Sequence, residues 1–285
     1  MNNSVLHTLF WNSDGKRLRP LWRLLIQLGM MFIMLGLLIL AFAFLNMVFH
    51  WKISATGLLF LSTVFELVAF TGSIYLARHF LDHRPFLDLG IWPDENMGFD
   101  LTKGLVIALV MLYFSFVLMH QLGWLTITGY GKNIWQALLY FLLFVVIAFQ
   151  EELLCRGYIL QTVASGWGKF WGVWVSSIIF TMLHLGNPGF NPFALIGIFC
   201  AGLLLGWATL RTGNLWLAIG IHLGWNFCEG VVFGFPTSGV TIYSLIHTQI
   251  TGPVIWTGGA FGPEAGLIIL PALAIGAGLV WLYTR

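Results

Sequence analysis

Three short runs of this 285-residue chain place ionisable or amide side chains where apolar residues surround them on both sides. The first is Gln150-Glu151-Glu152-Leu153-Leu154-Cys155-Arg156. At about 100° per residue in a helix, Glu152 and Arg156 are an i, i+4 pair able to neutralise each other, while Glu151 is turned about 100° away. The run therefore offers one paired carboxylate and one free one, and a free carboxylate is a candidate general base. The second run ends at His184, four residues after Phe180. In the third, His222 and Asn226 stack one turn apart, an imidazole and an amide that could both donate hydrogen bonds to a developing oxyanion. Glu66 and Glu229 are two further acids in apolar surroundings. The expectation for Glu66 is a paired residue between helices, and for Glu229 a supporting charge or one at the outer mouth.

The elements that must carry these groups follow from composition. Hydrophobic residues make up 59% of the chain and charged residues 8%, against about 25% charged in a soluble domain. So few ionic groups cannot cover a water-facing surface, and the solvent implied is lipid. Eight windows are apolar enough for a helix across a hydrocarbon core of about 30 Å: Trp22–Phe49, Thr56–Ala77, Leu101–Leu122, Ile134–Ala164, Lys169–Leu185, Pro192–Leu210, Asn214–Phe233 and Glu264–Tyr283. No ten-residue alternating strands indicate a barrel. The expected fold is all-α, a polytopic membrane bundle of about eight transmembrane helices. Three parts are expected: 1–133, a cytoplasmic segment and three spans; 134–233, the core with the polar runs; and 234–285, an outer loop and a last span.

Charge sets the orientation. With both termini cytoplasmic, ten of the thirteen basic residues, from Lys16 and Arg17 to Arg285, lie inside, against Lys52 and Lys132 outside and Arg156 within a span. A net charge of +2 gives no reason to expect nucleic acid. The inner loop Arg78–Asp100 reads as a solvated connector. The uncharged outer loop Gly234–Pro263 reads as an interfacial segment, with folding back into the bundle mouth as the alternative. Three cysteines, Cys155, Cys200 and Cys228, in apolar stretches and without a C-x-x-C pair, suggest neither a disulfide framework nor a zinc knot. His7, His50, His79, His83, His120 and His247 fall at ends or in loops and need no special role.

A charge at bilayer depth costs at least about 2.5–3.5 kcal/mol on insertion scales, which makes each such group a functional candidate. A single histidine in a span more commonly serves packing through interhelical hydrogen bonds. Glu151, His184, His222 and Asn226, at compatible depth on three spans, favour function.

Taken together, Glu151-Glu152-x-x-x-Arg156, Phe180-x-x-x-His184 and His222-x-x-x-Asn226 resemble the three motifs of the CPBP intramembrane proteases. That family includes the Rce-type CAAX prenyl endopeptidases and bacteriocin-processing or immunity proteins. The resemblance covers about a third of the chain, with order and spacing intact. It implies an endopeptidase in which Glu151 and His184 activate water, His222 and Asn226 hold the oxyanion, and Glu152 with Arg156 supports the first motif. It implies a multi-pass protein of the bacterial plasma membrane acting on a hydrophobic or lipid-modified, CAAX-like peptide or protein. The family has been described both as glutamic and as metalloproteases. No metal is required by the motifs; zinc, if used, would take Glu151, His184 and His222, two imidazoles and a carboxylate with an open position for water. The metal-free version is the expectation, because using Glu151 as a ligand leaves as base only Glu152, which Arg156 occupies. A non-catalytic scaffold or bacteriocin-immunity protein is the alternative, and a proton-coupled transporter the weaker one for want of repeat symmetry. Oligomeric state is not legible.

Overall fold

The computed structural model describes residues 9–12 and 17–285; His7 and Lys16 lie outside them. The first long helix, α1 (Pro20–Phe49), opens with a proline in its first turn, where the missing N–H costs no hydrogen bond. Its most apolar stretch is only 6% buried, with Phe32, Ile33, Leu37 and Leu40 facing outward. Inside, Gln27 is fully buried and donates from Nε2 to the Ser73 hydroxyl of α2 (Ala55–Ala77) at 3.1 Å. Apolar outside and polar inside reverses the pattern of a water-soluble helix and fits a protein integral to the membrane.

The remaining helices are α3 (Met97–Gln121), α4 (Ile134–Glu152), α5 (Leu160–Trp167), α6 (Lys169–Leu183), α7 (Pro192–Thr212), α8 (Trp216–Asn226), the short α9 (Val254–Thr257) and α10 (Ile269–Tyr283). Local chemistry starts several of them. Ser54 caps α2 through Gly57 N–H, Asn133 caps α4 through Gln136 N–H, and Asn191 caps α7 ahead of Pro192. All eight expected windows fall on helices. Among the described residues five helical stretches are long and apolar enough to cross a membrane: Pro20–Phe49, Ala55–Asp82, Met97–Gln121, Ile134–Trp167 and Pro192–Thr212. The last two windows hold shorter helices than expected, and Glu264 lies before α10, in a single 3₁₀ turn at Pro263–Ala265.

At the centre stands α8, every residue of which is buried. It packs so closely on α3 that a methyl group on Gly220 would meet the Leu101 carbonyl oxygen at 2.5 Å, and one on Gly104 would meet the Ile221 amide nitrogen at 2.5 Å. Only glycine allows that backbone approach. Among the described residues three helices continue into π-helical turns: Arg78–Asp82 after α2, Leu153–Ile159 after α4, which carries Arg156, and Phe227–Val232 after α8. Such wide turns re-aim the side chains beside them and are frequent at functional sites.

Two loops differ from expectation. The inner connector is solvated along most of its length, with Arg84, Asp88, Asp94 and Glu95 exposed, but it is docked through Asp82 and Asp100. Asp82 is buried and paired with Arg23 of α1 and Arg78, while Asp100 accepts from Asn214 Nδ2 at 3.1 Å and from the Tyr283 hydroxyl at 2.8 Å. The two buried acids find partners outside the connector, in Arg23, Asn214 and Tyr283, which offsets the cost of burying them. The outer segment folds back into the bundle. Its strand β2 (Ile246–Ile250) pairs antiparallel with β1 (Leu125–Tyr130), Leu125 opposite Ile250, satisfying backbone groups that lipid would leave bare. Phe235, Thr257 and Phe261 are buried by the same fold-back.

Candidate active site

The polar runs meet at one cavity of about 220 Å³ within the bundle. Glu151, His184, His222 and Asn226 all line it. They arrive from the end of α4, the residue after α6, and the last turn and a half of α8.

The carboxylates of the first motif part company as the helix phase requires. Glu152 is fully buried, and its Oε1 accepts from Arg156 Nη1 at 2.8 Å. Arg156 Nη2 donates in turn to the Gly202 carbonyl of α7 at 3.1 Å, and the guanidinium lies 4.4 Å from the centre of the Phe180 ring. Gly202 is needed there because a side-chain carbon would stand 2.9 Å from Ser177 Cβ on α6. Glu151 keeps some exposure to the cavity, and its Oε2 accepts no hydrogen bond.

Each imidazole is held by one nitrogen. His184 Nδ1 lies 2.8 Å from the Phe180 carbonyl oxygen, which can only accept, so Nδ1 carries the proton and donates. A neutral ring therefore has its lone pair on Nε2. His222 Nδ1 lies 2.8 Å from Glu152 Oε1, and its Nε2 is 3.8 Å from Glu151 Oε2. The imidazole thus stands between two carboxylates. Phe180 packs against both rings, 4.7 Å from His184 and edge-on to His222 at 5.8 Å. It is a spacer that sets the two imidazoles apart.

Sequence reasoning left three features unseen. The Glu152–His222 hydrogen bond joins residues 70 apart in the chain, and no local spacing signals it. Glu66, expected as a paired helix residue, does pair with Gln150, whose Nε2 donates to Oε2 at 3.0 Å, but it also lines the cavity. Glu264 lines the cavity as well; it accepts from Trp225 Nε1 at 2.9 Å, Ser238 N–H at 2.9 Å and the Ser238 hydroxyl at 2.6 Å. The available clue was an acid closing an uncharged stretch of thirty residues, Gly234–Pro263. Glu229 is fully buried and is not part of the cavity wall.

The donors that zinc would use, Glu151 Oε2, His222 Nε2 and the free nitrogen of His184, border the same cavity, and both rings are oriented through Nδ1 in the manner common for metal ligands. Yet among the described residues no three His, Cys, Asp or Glu side chains are grouped closely enough to hold one ion. As they stand, the three do not form a coordination set.

An integral-membrane helical bundle that gathers an unpaired carboxylate, two oriented imidazoles and an amide around an internal cavity belongs to the class of proteins that handle polar chemistry below the lipid surface. Residues 133–228, which carry every one of these groups, match the family model described as type II CAAX prenyl endopeptidase Rce1-like. The match covers about a third of the chain and supports, for that segment, a place in the CPBP/CAAX protease family. Among curated proteins none matches the chain.

Proposed function

We propose that this protein is an intramembrane endopeptidase that cleaves a hydrophobic or lipid-modified peptide by direct attack of water, with no covalent intermediate. The observation that carries this reading is the shared cavity, which brings Glu151, His184, His222 and Asn226 together from three separate parts of the chain.

Glu151 is the base. Its Oε2 is without a hydrogen-bond partner, so the lone pair is free to take a proton from water. His184, with Nδ1–H committed to the Phe180 carbonyl, presents Nε2 as an acceptor that can orient the same water. As the water oxygen bonds to the scissile carbonyl carbon, negative charge gathers on the carbonyl oxygen. Nε2–H of a protonated His222 and the Asn226 amide are the donors for it. Glu152 positions His222 by accepting from Nδ1–H and balances the charge on that ring. Collapse of the tetrahedral centre breaks the C–N bond, and the proton held by Glu151 passes to the departing amine. Each step is a proton transfer or a charge stabilisation by these side chains, and none requires a metal.

The test is hydrolysis by the purified full chain of apolar peptides with and without lipid groups, beside Glu151→Gln and His184→Ala. Cleavage by wild type alone supports the reading; undiminished cleavage by Glu151→Gln overturns the assignment of the base. A non-catalytic scaffold would cut nothing in any form.

A further inference from the structure

The polar side chains that α2 sends to the cavity wall, Ser62, Thr63 and Glu66, offer acceptors. Glu66 Oε2 is occupied by Gln150 Nε2 at 3.0 Å, whereas Oε1 makes no hydrogen bond. One turn earlier on α2, Ser62 and Thr63 also line the cavity, and each hydroxyl has given its proton to the Leu59 carbonyl, both at 2.9 Å. Their oxygens can only accept a further partner. Gln150 is fully buried, and its Oε1 has no donor at all. Beside it in the chain, Glu151 Oε2 is likewise unmatched.

His222 stands 3.8 Å from Glu151, and among the described residues no hydrogen bond or ion pair joins a cation to Glu66. Among the described residues lining the cavity there is no Lys or Arg, and the buried Arg156 is spent on Glu152 and the Gly202 carbonyl. Glu264, the other acid of the wall outside the motifs, already has both oxygens bonded. Thr63 is buried and Glu66 half-buried, and acceptors so placed without donors are costly, a carboxylate most of all. A ligand in the cavity that brings several N–H donors and a positive charge would satisfy Glu66 Oε1 and the Ser62 and Thr63 oxygens together.

We propose that Glu66, with the Ser62 and Thr63 oxygens, is a substrate subsite for a cationic nitrogen group next to the scissile bond. The group is either the side chain of a Lys or Arg in the peptide or its free α-ammonium. Gln150, the residue preceding Glu151, donates to Glu66, which puts the subsite beside the hydrolytic centre. The inference rests on the proteolytic reading of that centre and adds what the substrate must carry. It also means that a substrate carboxylate is disfavoured at this subsite, where it would meet Glu66 and the Ser62 and Thr63 oxygens.

The experiment uses the full chain in lipid nanodiscs and a series of quenched-fluorescence apolar peptides. A single position is scanned with Lys, Met or Glu, and each peptide is made with a free and an acetylated N-terminus. At one or more positions the Lys peptide should exceed its Met counterpart by about tenfold in kcat/KM, the range expected for a charge-assisted hydrogen bond, with Glu below both. In Glu66→Gln the Lys-to-Met ratio should fall to about one, and in Glu66→Asp, which keeps the charge, it should persist. A preference for the free N-terminus over the acetylated one, lost in the same variant, would identify the α-ammonium as the group recognised. Equal rates for Lys and Met at every position with no effect of acetylation overturn the subsite, as does a preference that survives Glu66→Gln. Should no peptide be cut, the proteolytic reading falls. The subsite is then still decided by displacement of a bound fluorescent apolar peptide: Lys displacing no better than Met overturns it, and a Lys advantage lost in Glu66→Gln upholds it.

Discussion

Glu152 accepts from His222 Nδ1 at 2.8 Å through the same oxygen, Oε1, that accepts from Arg156 Nη1 at 2.8 Å. One carboxylate thereby ties the first motif to the third and a buried cation to a buried imidazole. Its removal has two consequences of different kind. The Arg156 charge is left without its counter-ion in a fully buried position, a loss of about 3–5 kcal/mol for pairs of this type. His222 loses the partner that fixes its ring. Glu152→Ala should therefore lower both resistance to unfolding in mixed micelles and hydrolytic rate. A variant as stable as wild type would show that the pair does not hold the motif together.

Glu151, one residue earlier, should behave in the opposite way. It makes no hydrogen bond through Oε2 and keeps part of its side chain open to the cavity, so Glu151→Gln removes little packing. Stability is expected to stay within about 0.5 kcal/mol, as for substitutions that break no buried pairing. Hydrolysis should fall by about 10²–10⁴-fold, the range for loss of a general base. Unfolding curves and rates measured on the same preparation separate the two neighbours. If the two variants gave the same pattern, the division of labour between Glu151 and Glu152 would be wrong.

The contrast also shows what a sequence can reveal. The i, i+4 pairing of Glu152 with Arg156, and the separate fate of Glu151, follow from helix phase and were legible. The lipid-facing helices were legible too, because the apolar residues are too many to bury. The Glu152–His222 bond was not, since it depends on how α8 sits against α4, and no pattern within either run encodes that. The outer segment misled for a related reason. Its lack of charge fits an interface as well as an interior, and only the pairing of β2 with β1, 118 residues away at Gly129 and His247, decides between them. The π-helical turns after Glu152 and Asn226 likewise leave no compositional mark.

Metal removal offers a prediction on the chemistry itself. With no three ligating side chains grouped around one point among the described residues, and with Glu151 assigned as the base, hydrolysis should survive exhaustive dialysis against a chelator. Elemental analysis of the dialysed protein should find less than stoichiometric zinc while activity is retained. Loss of activity together with one equivalent of metal, and recovery on adding zinc, would instead assign Glu151, His184 and His222 as ligands.

The last prediction concerns a residue that borders no part of the cavity. Gly220 lies against the Leu101 carbonyl, where an added methyl would come within 2.5 Å of the oxygen. Backbone cannot yield as a flexible side chain can, so Gly220→Ala must push α8 away from α3. His222 is two residues further along the same helix and must hold Glu152 at 2.8 Å while facing Glu151 at 3.8 Å. A displacement of about 1 Å in such an arrangement costs about 10²-fold in rate. The variant should therefore lose kcat well beyond what its loss of stability explains, whereas Gly278→Ala, on a helix face with open space around it, should change neither. Rates near wild type in Gly220→Ala, with the protein folded, would mean that the distance from His222 to the two carboxylates does not set the rate.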